Sequence, residues 1–286
     1  VHLGDGAPGM LDPWAITDNY NDGENAAREI LDLVFSNAKD KEILDVAFQN
    51  MRLEYEKQPD GVASLSELAT FLGSEMEHYA SINADDDTSQ GDRMEARDRE
   101  VAVRRVHDAL VRAAGRQYGR LMFARSASTK PFTISDKRRV IITMFGLALP
   151  DDKAPVEEWD ESTRDGAAAM LTVIRQLNRV FTASRDEESP WQKVRVIRPR
   201  LLFIDEAYFV TAFKAGRRML NIFLRQGRSR FFGVVFISQQ AKDINKLNEE
   251  ASGDDDASTN QFPTKFVFRQ GGISEAKDAM RLLRPS

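Results

Sequence analysis

The chain has 286 residues, of which 42% are hydrophobic and 30% are charged, so it can bury a sizeable core and has the composition of a soluble globular protein. It contains no cysteine, which excludes disulfide bridges, thiolate metal sites and cysteine nucleophiles, and its three histidines lack the spacing of metal ligands. The formal net charge of -5 argues against a surface that attracts nucleic acid over its whole extent.

Two further features concern the setting of the chain. Its longest apolar run, from Val140 to Pro150, is shorter than the ~20 residues of a membrane-spanning helix, so we expect no membrane segment. The opening VHLGDG lacks an initiator methionine and the basic and apolar regions of a signal peptide. We therefore expect a domain from a longer protein.

The first half of the chain has helical periodicity. Glycine, aspartate and proline predict turns over residues 1–22. Across residues 23–125 the apolar residues recur with a period of about 3.6, which predicts four helices, one of them capped by Ser64 or Ser66. The acidic residues 83–92 lack this period and are predicted to form a solvated loop. The helical sequences contain AAREILDLVF, KEILDVAFQNMRLEY, SLSELATFLGSEM and REVAVRRVHDALVRAAGRQYGRLMF.

The second half alternates apolar strands with amphipathic helices. The β-branched run RVIITMFGLAL predicts a strand that is buried on both faces. Such alternation indicates a parallel sheet covered by helices on both sides, so the predicted fold class is α/β. The later elements are a helix at 162–184, the strand RPRLLFIDEA, a helix at 213–226, the strand FFGVVFISQQ, a helix at 240–250, an acidic loop SGDDDAST, the short strand TKFVF and the closing helix ISEAKDAMRLL.

Polar residues end two strands that are consecutive along the chain. Asp205 and Glu206 end the first strand, and Ser238, Gln239 and Gln240 end the second. Ligands of parallel sheets gather beyond the carboxyl ends of the strands, so these residues are predicted to share one crevice. The Gln239 amide would need buried partners, which favours a role in sensing a phosphate or a water. Alternatively, the acidic pair starts a helix and Gln239 begins a half-solvated loop.

Three arginines, Arg225, Arg228 and Arg230, lie at the end of the helix between these strands. Cations at a helix C-terminus are favoured electrostatically, and that alone could explain them. The alternative is that one of them reaches a phosphate group, in its own subunit or across a ring interface. Arg228 is our preferred arginine finger and Arg225 and Arg230 are the other phosphate-binding candidates, although the sequence does not decide among the three.

Several segments, taken in order, resemble the ATPase domain of conjugative type IV secretion ATPases, the TraC/TraE-like members of the HerA–FtsK group of RecA-like P-loop NTPases. They are RRVIITMFGLALP, a long helix, LLFIDEAYFV and FLRQGRSRFFGVVFISQQAKDI, and the opening GMLDPWAI is also similar to that family. The resemblance implies an α/β, RecA-like, mostly parallel sheet with flanking helices plus an all-α insertion. It assigns residues 1–22 to the start of the NTPase core, 23–130 to the helical insertion, and 131–286 to the core with the Walker B and sensor strands.

The same resemblance implies ATP and Mg²⁺ as cofactors. Asp205 would coordinate Mg²⁺ through water, Glu206 would orient and deprotonate the attacking water, and Gln239 would sense the γ-phosphate. One motif departs from the family, because no G-x-x-x-x-G-K-[ST] occurs to supply a backbone cradle and a lysine for the phosphates. We expect this P-loop to lie upstream of the chain, or to be missing from a non-hydrolysing relative. In either case the chain alone should bind ATP poorly.

The leading functional prediction is the C-terminal ATPase domain of a motor that couples ATP hydrolysis to conjugative transfer, type IV secretion or machine assembly. Such a protein would form a dimer or a hexameric ring with other secretion components, in the cytoplasm or peripherally at the inner face of the membrane. A DNA-translocating motor is one alternative, since the basic residues 136–139 and 194–200 could follow DNA phosphates, although they could instead flank strands as solvated edges. A non-hydrolysing adaptor is the other.

Overall fold

The computed structural model divides the chain into two compact units. The first comprises Val1–Ala148 and Ala154–Thr172, and the second comprises Leu149–Lys153 and Val173–Ser286. The structure describes residues 6–17, 19–35, 37–57, 63–85, 87–126, 129–130, 132, 140–143, 146–148, 150, 154–182, 200–211, 214–230, 232–247, 262, 264–268 and 271–283.

The first unit contains the helices predicted for residues 23–125. They are α1 (Tyr20–Val34), α2 (Ala38–Lys57), α3 (Leu65–Ala84), α4 (Gln90–Gly115) and α5 (Gly119–Phe123), and α6 (Glu161–Thr182) begins in the same unit. α3 packs against α4, and α4 also contacts α2 and α5. The fourth predicted helix is therefore divided into two, α4 and α5.

The division occurs in the sequence GRQYG. α4 ends at Gly115 and α5 begins at Gly119. A Cβ atom at Gly119 would lie 2.1 Å from the carbonyl oxygen of Ala113, so only glycine fits this close approach. Helical periodicity continues across the corner, which is why the sequence pattern predicts one long helix.

The start of α3 confirms one of the two predicted caps. The Ser64 hydroxyl accepts a hydrogen bond from the N–H of Glu67 at 2.9 Å, which satisfies an unpaired donor of the first helical turn. The solvated loop predicted for residues 83–92 is shorter in the structure, because the flanking helices extend to Ala84 and begin again at Gln90.

A buried ion pair connects α4 to α6. Nε and Nη2 of Arg116 donate to the two carboxylate oxygens of Asp165, and Nη1 donates to a carboxylate oxygen of Glu161 at 2.8 Å. Burial raises the pKa of the Asp165 carboxyl, and the Arg116 guanidinium opposes that rise. A buried carboxylate without its cation is strongly destabilising, so the folded chain favours the position of Arg116 in which it contacts Asp165.

A second buried carboxylate, Asp12, connects the N-terminal turn to the start of α3. Its Oδ2 accepts the N–H of Leu65 at 2.9 Å and its Oδ1 accepts the N–H of Trp14 at 3.0 Å. The guanidinium of Arg125 lies 3.6 Å from Oδ1. Burial raises the pKa of Asp12 to about 7, although the N–H donors and Arg125 lower it. Asp12 thus joins two segments that are far apart in the sequence.

We predict that Asp12 makes the stability of the chain depend on pH. Because the pKa of Asp12 in the folded chain, about 7, is above the ordinary value of 3.8, the folded chain binds the proton more tightly than the unfolded chain. The stabilisation that this proton provides is complete below about pH 4 and is lost as the pH rises through about 7. The free energy of unfolding of the wild type relative to D12N should therefore fall by about 2 kcal/mol between about pH 5 and pH 7.

Urea denaturation followed by circular dichroism measures this difference at each pH. Comparison with D12N removes the contributions of the other carboxylates, which both proteins share. If the difference in the free energy of unfolding between the wild type and D12N stays constant between about pH 5 and pH 7, the raised pKa of Asp12 is contradicted.

The second unit is built around a parallel β-α-β motif. β1 and β2 pair residue by residue, beginning with Arg200 opposite Phe232, and α8 makes the crossover between them. Edge-to-face contacts among the rings of Phe181, Phe223 and Phe232 join α6, α8 and β2, with centroids 5.2 to 6.0 Å apart. The elements are β1 (Arg200–Asp205), α7 (Tyr208–Thr211), α8 (Lys214–Arg230), β2 (Phe232–Ile237), α9 (Ala241–Asn245) and α10 (Ile273–Leu283).

The sheet is smaller than the sequence predicts. The part of the chain that the structure describes is mostly helical, with one sheet of two strands. RVIITMFGLAL is predicted to be a strand, but among its described residues only Thr143 takes part in β-pairing, as a single isolated bridge. Gly146 has a φ of 72°, a left-handed conformation that interrupts an extended chain. The described residues 264–268 of TKFVF are also not a strand, because β-propensity depends on context and an apolar run alone does not make a strand.

The remaining predicted helices of this half are present with shifted ends. α6 and α8 match the helices predicted at 162–184 and 213–226, and α10 matches ISEAKDAMRLL. The predicted helix at 240–250 is shorter over its described residues, and the acidic loop SGDDDAST lies outside them. None of the described helices has the length and hydrophobicity of a membrane span.

Candidate functional site

The carboxyl ends of β1 and β2 lie side by side, which confirms the placement predicted from the strand order. Asp205 is opposite Ile237 in the register, and the N–H of Ala207 donates to the carbonyl of Ile237 at 2.7 Å. This hydrogen bond continues the pairing beyond the end of β1. Glu206 and Ser238, which follow the two strands, are therefore neighbours, with Glu206 Oε1 3.5 Å from Ser238 Oγ.

Glu206 has a left-handed backbone. Its φ is 73°, and no other non-glycine residue within the described ranges has a positive φ. The conformation costs a residue with a Cβ atom about 1 kcal/mol. It lets the chain turn from β1 into α7 while Ala207 is fully buried and Glu206 is half-buried. Strained residues of this kind cluster at binding and catalytic sites, so Glu206 is a candidate functional residue.

Ser238 connects Glu206 to a buried acidic residue. The Ser238 hydroxyl lies 2.9 Å from Asp243 Oδ2, and it accepts the N–H of Gln240 at 3.3 Å. Asp243 is 3% exposed, so its carboxylate needs partners within the protein. The rim of the sheet thus has two carboxylates, Glu206 and Asp243, on either side of one hydroxyl.

Lys246 compensates the charge of Asp243. Its Nζ lies 3.5 Å from Asp243 Oδ1 and 5.4 Å from the centre of the Tyr208 ring, an arrangement that stabilises the ammonium group. Asp243 and Lys246 are not predicted as site residues from the sequence. The available signal was the spacing D-x-x-K in AKDINK, which places an acidic and a basic side chain on one face of a helix directly after a strand.

Asp205 and Gln239, the other strand-end candidates, are both exposed at this rim. The Asp205 carboxylate is accessible to a cation such as Mg²⁺, which prefers oxygen ligands. Within the described residues no three acidic or histidine side chains form a complete metal site, so such a cation would need further oxygen ligands. The expectation that the Gln239 amide needs buried partners is wrong, because the residue is exposed.

The three candidate arginines lie in the last turns of α8. α8 returns from the carboxyl end of β1 to the amino end of β2, so its last residues lie at the amino end of the strands. Arg225 is exposed, and the side chains of Arg228 and Arg230 are outside the described part of the chain. With about 3.3 Å per residue, the six residues of β2 separate these arginines from the rim by roughly 20 Å. This distance disfavours contact with a phosphate at the rim of the same subunit.

The basic residues that motivate DNA binding are mostly outside the described residues. Residues 136–139 and 194–199 belong to that group. Arg200 is described, and its guanidinium donates to the carbonyl oxygen of Val180. This arginine therefore has a structural partner.

The chain is similar to a protein family and to a bacterial protein. A family model described as "AAA-like domain" matches residues 88–284. The chain is also 28% identical over 140 residues to the "Uncharacterized protein YddE" of Bacillus subtilis (strain 168). The aligned region is 49% of this chain and 14% of that protein, so the chain spans a small part of the relative's length. No solved structure matches the chain.

We predict that glycine at position 206 stabilises the chain relative to alanine. Both E206G and E206A remove the carboxylate, but only glycine adopts a φ of 73° without a clash of its Cβ atom. The free energy of unfolding should be about 1 kcal/mol higher for E206G than for E206A, as measured by urea denaturation. The matched control is Glu77, an exposed residue inside α3, where E77G should be less stable than E77A by a similar amount. Equal stability of E206G and E206A would show that the left-handed turn is not under strain.

Proposed function

Because the chain belongs to the AAA-like domain family, we propose that it is the ATPase domain of a motor for conjugative transfer or type IV secretion. AAA-like domains are found in P-loop NTPases, which include conjugation and secretion ATPases. The observation that carries the proposal is the common rim of β1 and β2, where the strained Glu206 lies beside Ser238 and close to the exposed Asp205 and Gln239. A parallel sheet binds its ligands at this end of the strands.

The strand-end residues have the chemistry that ATP hydrolysis requires. Asp205 would hold Mg²⁺ through water, and the bound ion would neutralise charge on the phosphates. Glu206 would orient a water and accept its proton on a carboxylate oxygen. The Gln239 amide, exposed at the same rim, would contact the γ-phosphate. The exposed Asp205 fits a Mg²⁺ ion that keeps most of its ligands as water and phosphate oxygens rather than protein side chains.

The remaining parts of the nucleotide site would come from elsewhere. The sequence G-x-x-x-x-G-K-[ST] does not occur in the 286 residues, so we propose that a P-loop outside this sequence supplies the phosphate cradle. The position of α8 supports Arg228, with Arg225 and Arg230, as contacts to a phosphate bound by a neighbouring subunit. Self-association as a dimer or hexameric ring is therefore part of the proposal.

The proposal also includes the domain organisation of the chain, its partners and its place in the cell. Residues 1–22 and 131–286 would form the nucleotide-binding core, with 23–130 as the helical insertion. The partners would be other secretion components, in the cytoplasm or at the inner face of the membrane. ATP hydrolysis by the full-length protein would distinguish the secretion motor and the alternative DNA-translocating motor from the alternative non-hydrolysing adaptor.

We predict that E206Q in the full-length protein keeps ATP binding but lowers the rate of hydrolysis by about a hundredfold or more, because glutamine cannot accept the proton of the attacking water. Steady-state phosphate release measures the rate, and equilibrium binding of a fluorescent ATP analogue measures affinity. E77Q, which removes one exposed charge from α3, is the matched control and should hydrolyse ATP like the wild type. Wild-type turnover by E206Q would remove Glu206 from the mechanism, and no hydrolysis by the wild type would favour the adaptor.

A further inference from the structure

The Ser238 hydroxyl lies between two carboxylates, at 2.9 Å from Asp243 Oδ2 and 3.5 Å from Glu206 Oε1. A serine hydroxyl has one proton and donates it to one acceptor at a time. The carbonyl oxygen of Gln240 lies 3.1 Å from the same hydroxyl. The shortest distance places the hydrogen bond on Asp243, while the Glu206 oxygen is at the outer limit of hydrogen-bond length. Because a hydroxyl proton rotates about the C–O bond, it can also be directed to Glu206.

Asp243 has a partner other than Ser238. Its carboxylate lies 3.5 Å from the ammonium group of Lys246, and the two side chains are only 4% and 13% exposed. Lys246 in turn lies over the ring of Tyr208, whose hydroxyl donates to the carbonyl of Pro150 at 2.9 Å. The Asp243–Lys246 pair therefore stays in place whether the Ser238 hydroxyl donates its hydrogen bond to Asp243 or to Glu206.

We propose that Ser238 is a positioning residue for Glu206, and that the Asp243–Lys246 pair fixes Ser238 at the rim of the sheet. The inference rests on the proposed function, because Glu206 needs positioning only if it acts on a water. When the Ser238 hydroxyl donates to Glu206 instead of Asp243, it holds one oxygen of the Glu206 carboxylate and leaves the other oriented to accept the proton of the water. Asp243 competes for the same hydroxyl, so it sets how tightly Glu206 is held.

The first test compares S238A with S238T in the full-length protein. S238A removes the donor to Glu206 without touching the nucleotide, so kcat for ATP hydrolysis should fall about tenfold while KM for ATP stays within about twofold of the wild type. S238T keeps the hydroxyl, and it should recover kcat to within about threefold of the wild type. Thermal unfolding of both variants is measured alongside, since a purely structural role for Ser238 would lower the unfolding temperature.

The second test asks whether Asp243 acts through Ser238. In D243N the amide oxygen still accepts the serine hydroxyl, but the charge that Lys246 compensates is gone. If Asp243 acts through Ser238, the double variant S238A/D243N should have the same kcat as S238A alone. If kcat of the double variant falls by the product of the factors measured for S238A and D243N, Asp243 acts independently of Ser238, and its part of the proposal is overturned.

Other outcomes distinguish this inference from the proposed function. If the wild type hydrolyses ATP, E206Q is slow, and S238A keeps the wild-type kcat, positioning by Ser238 is overturned and the proposed function stands. The same holds if S238A lowers kcat and the unfolding temperature together and S238T restores neither. If the wild type does not hydrolyse ATP, or E206Q turns over normally, both proposals fail.

Discussion

The parallel pairing of β1 with β2 is the constraint on which the candidate site depends. The register places Asp205 opposite Ile237, and the hydrogen bond from Ala207 to Ile237 carries the pairing past the end of β1. Glu206 lies between Asp205 and Ala207, both of which are held against β2, and it adopts a left-handed backbone conformation. A shift of the register by one residue would exchange the two faces of the strand and move Glu206 away from Ser238. The chemistry at the rim is therefore a consequence of strand order and register.

The same rim shows how a strained acidic residue is accommodated. The left-handed backbone at Glu206 costs about 1 kcal/mol, which the hydrogen bond of Ala207 and its complete burial can offset. Behind the rim, Asp243 is neutralised by Lys246, so a second carboxylate can remain buried close to the first. The polar groups form a connected set, in which the Ser238 hydroxyl is the contact between the two acidic residues.

The sequence predicts the features of the chain that depend on local pattern. Helical periodicity predicts α1 to α4 and the closing helix α10, and serines before acidic residues predict a cap at Ser64 or Ser66, of which Ser64 is confirmed. Strand order predicts that Glu206 and Ser238 meet. Periodicity cannot detect the corner at Gly119, because that glycine is required by contact with Ala113 rather than by the pattern. It also cannot show that RVIITMFGLAL, which contains Gly146, lacks a regular strand among its described residues.

Features that depend on long-range contacts are less accessible to sequence analysis. Asp12 accepts a hydrogen bond from the backbone N–H of Leu65, and Arg116 pairs with Asp165. In the sequence, however, the three charged residues look like ordinary surface charges. Asp243 and Lys246 are missed for the same reason, since only the fold brings them behind Ser238. The exposure of Gln239 likewise depends on the fold, so its polarity alone was a weak guide to its surroundings.

The most direct test of the account measures the register of β1 and β2. The chain has no cysteine, so paired cysteines can be introduced without interference, and Phe203 and Val235 are exposed partners in the register. Their Cα atoms should lie about 4.8 Å apart, within the range of a disulfide, so F203C/V235C should form an intramolecular disulfide under mild oxidation. In L201C/I237C the cysteines are exposed to a similar degree but offset by four positions, about 14 Å apart, and should remain reduced. Failure of the first pair to cross-link, or equal cross-linking of the second, would contradict the register that brings Glu206 and Ser238 together.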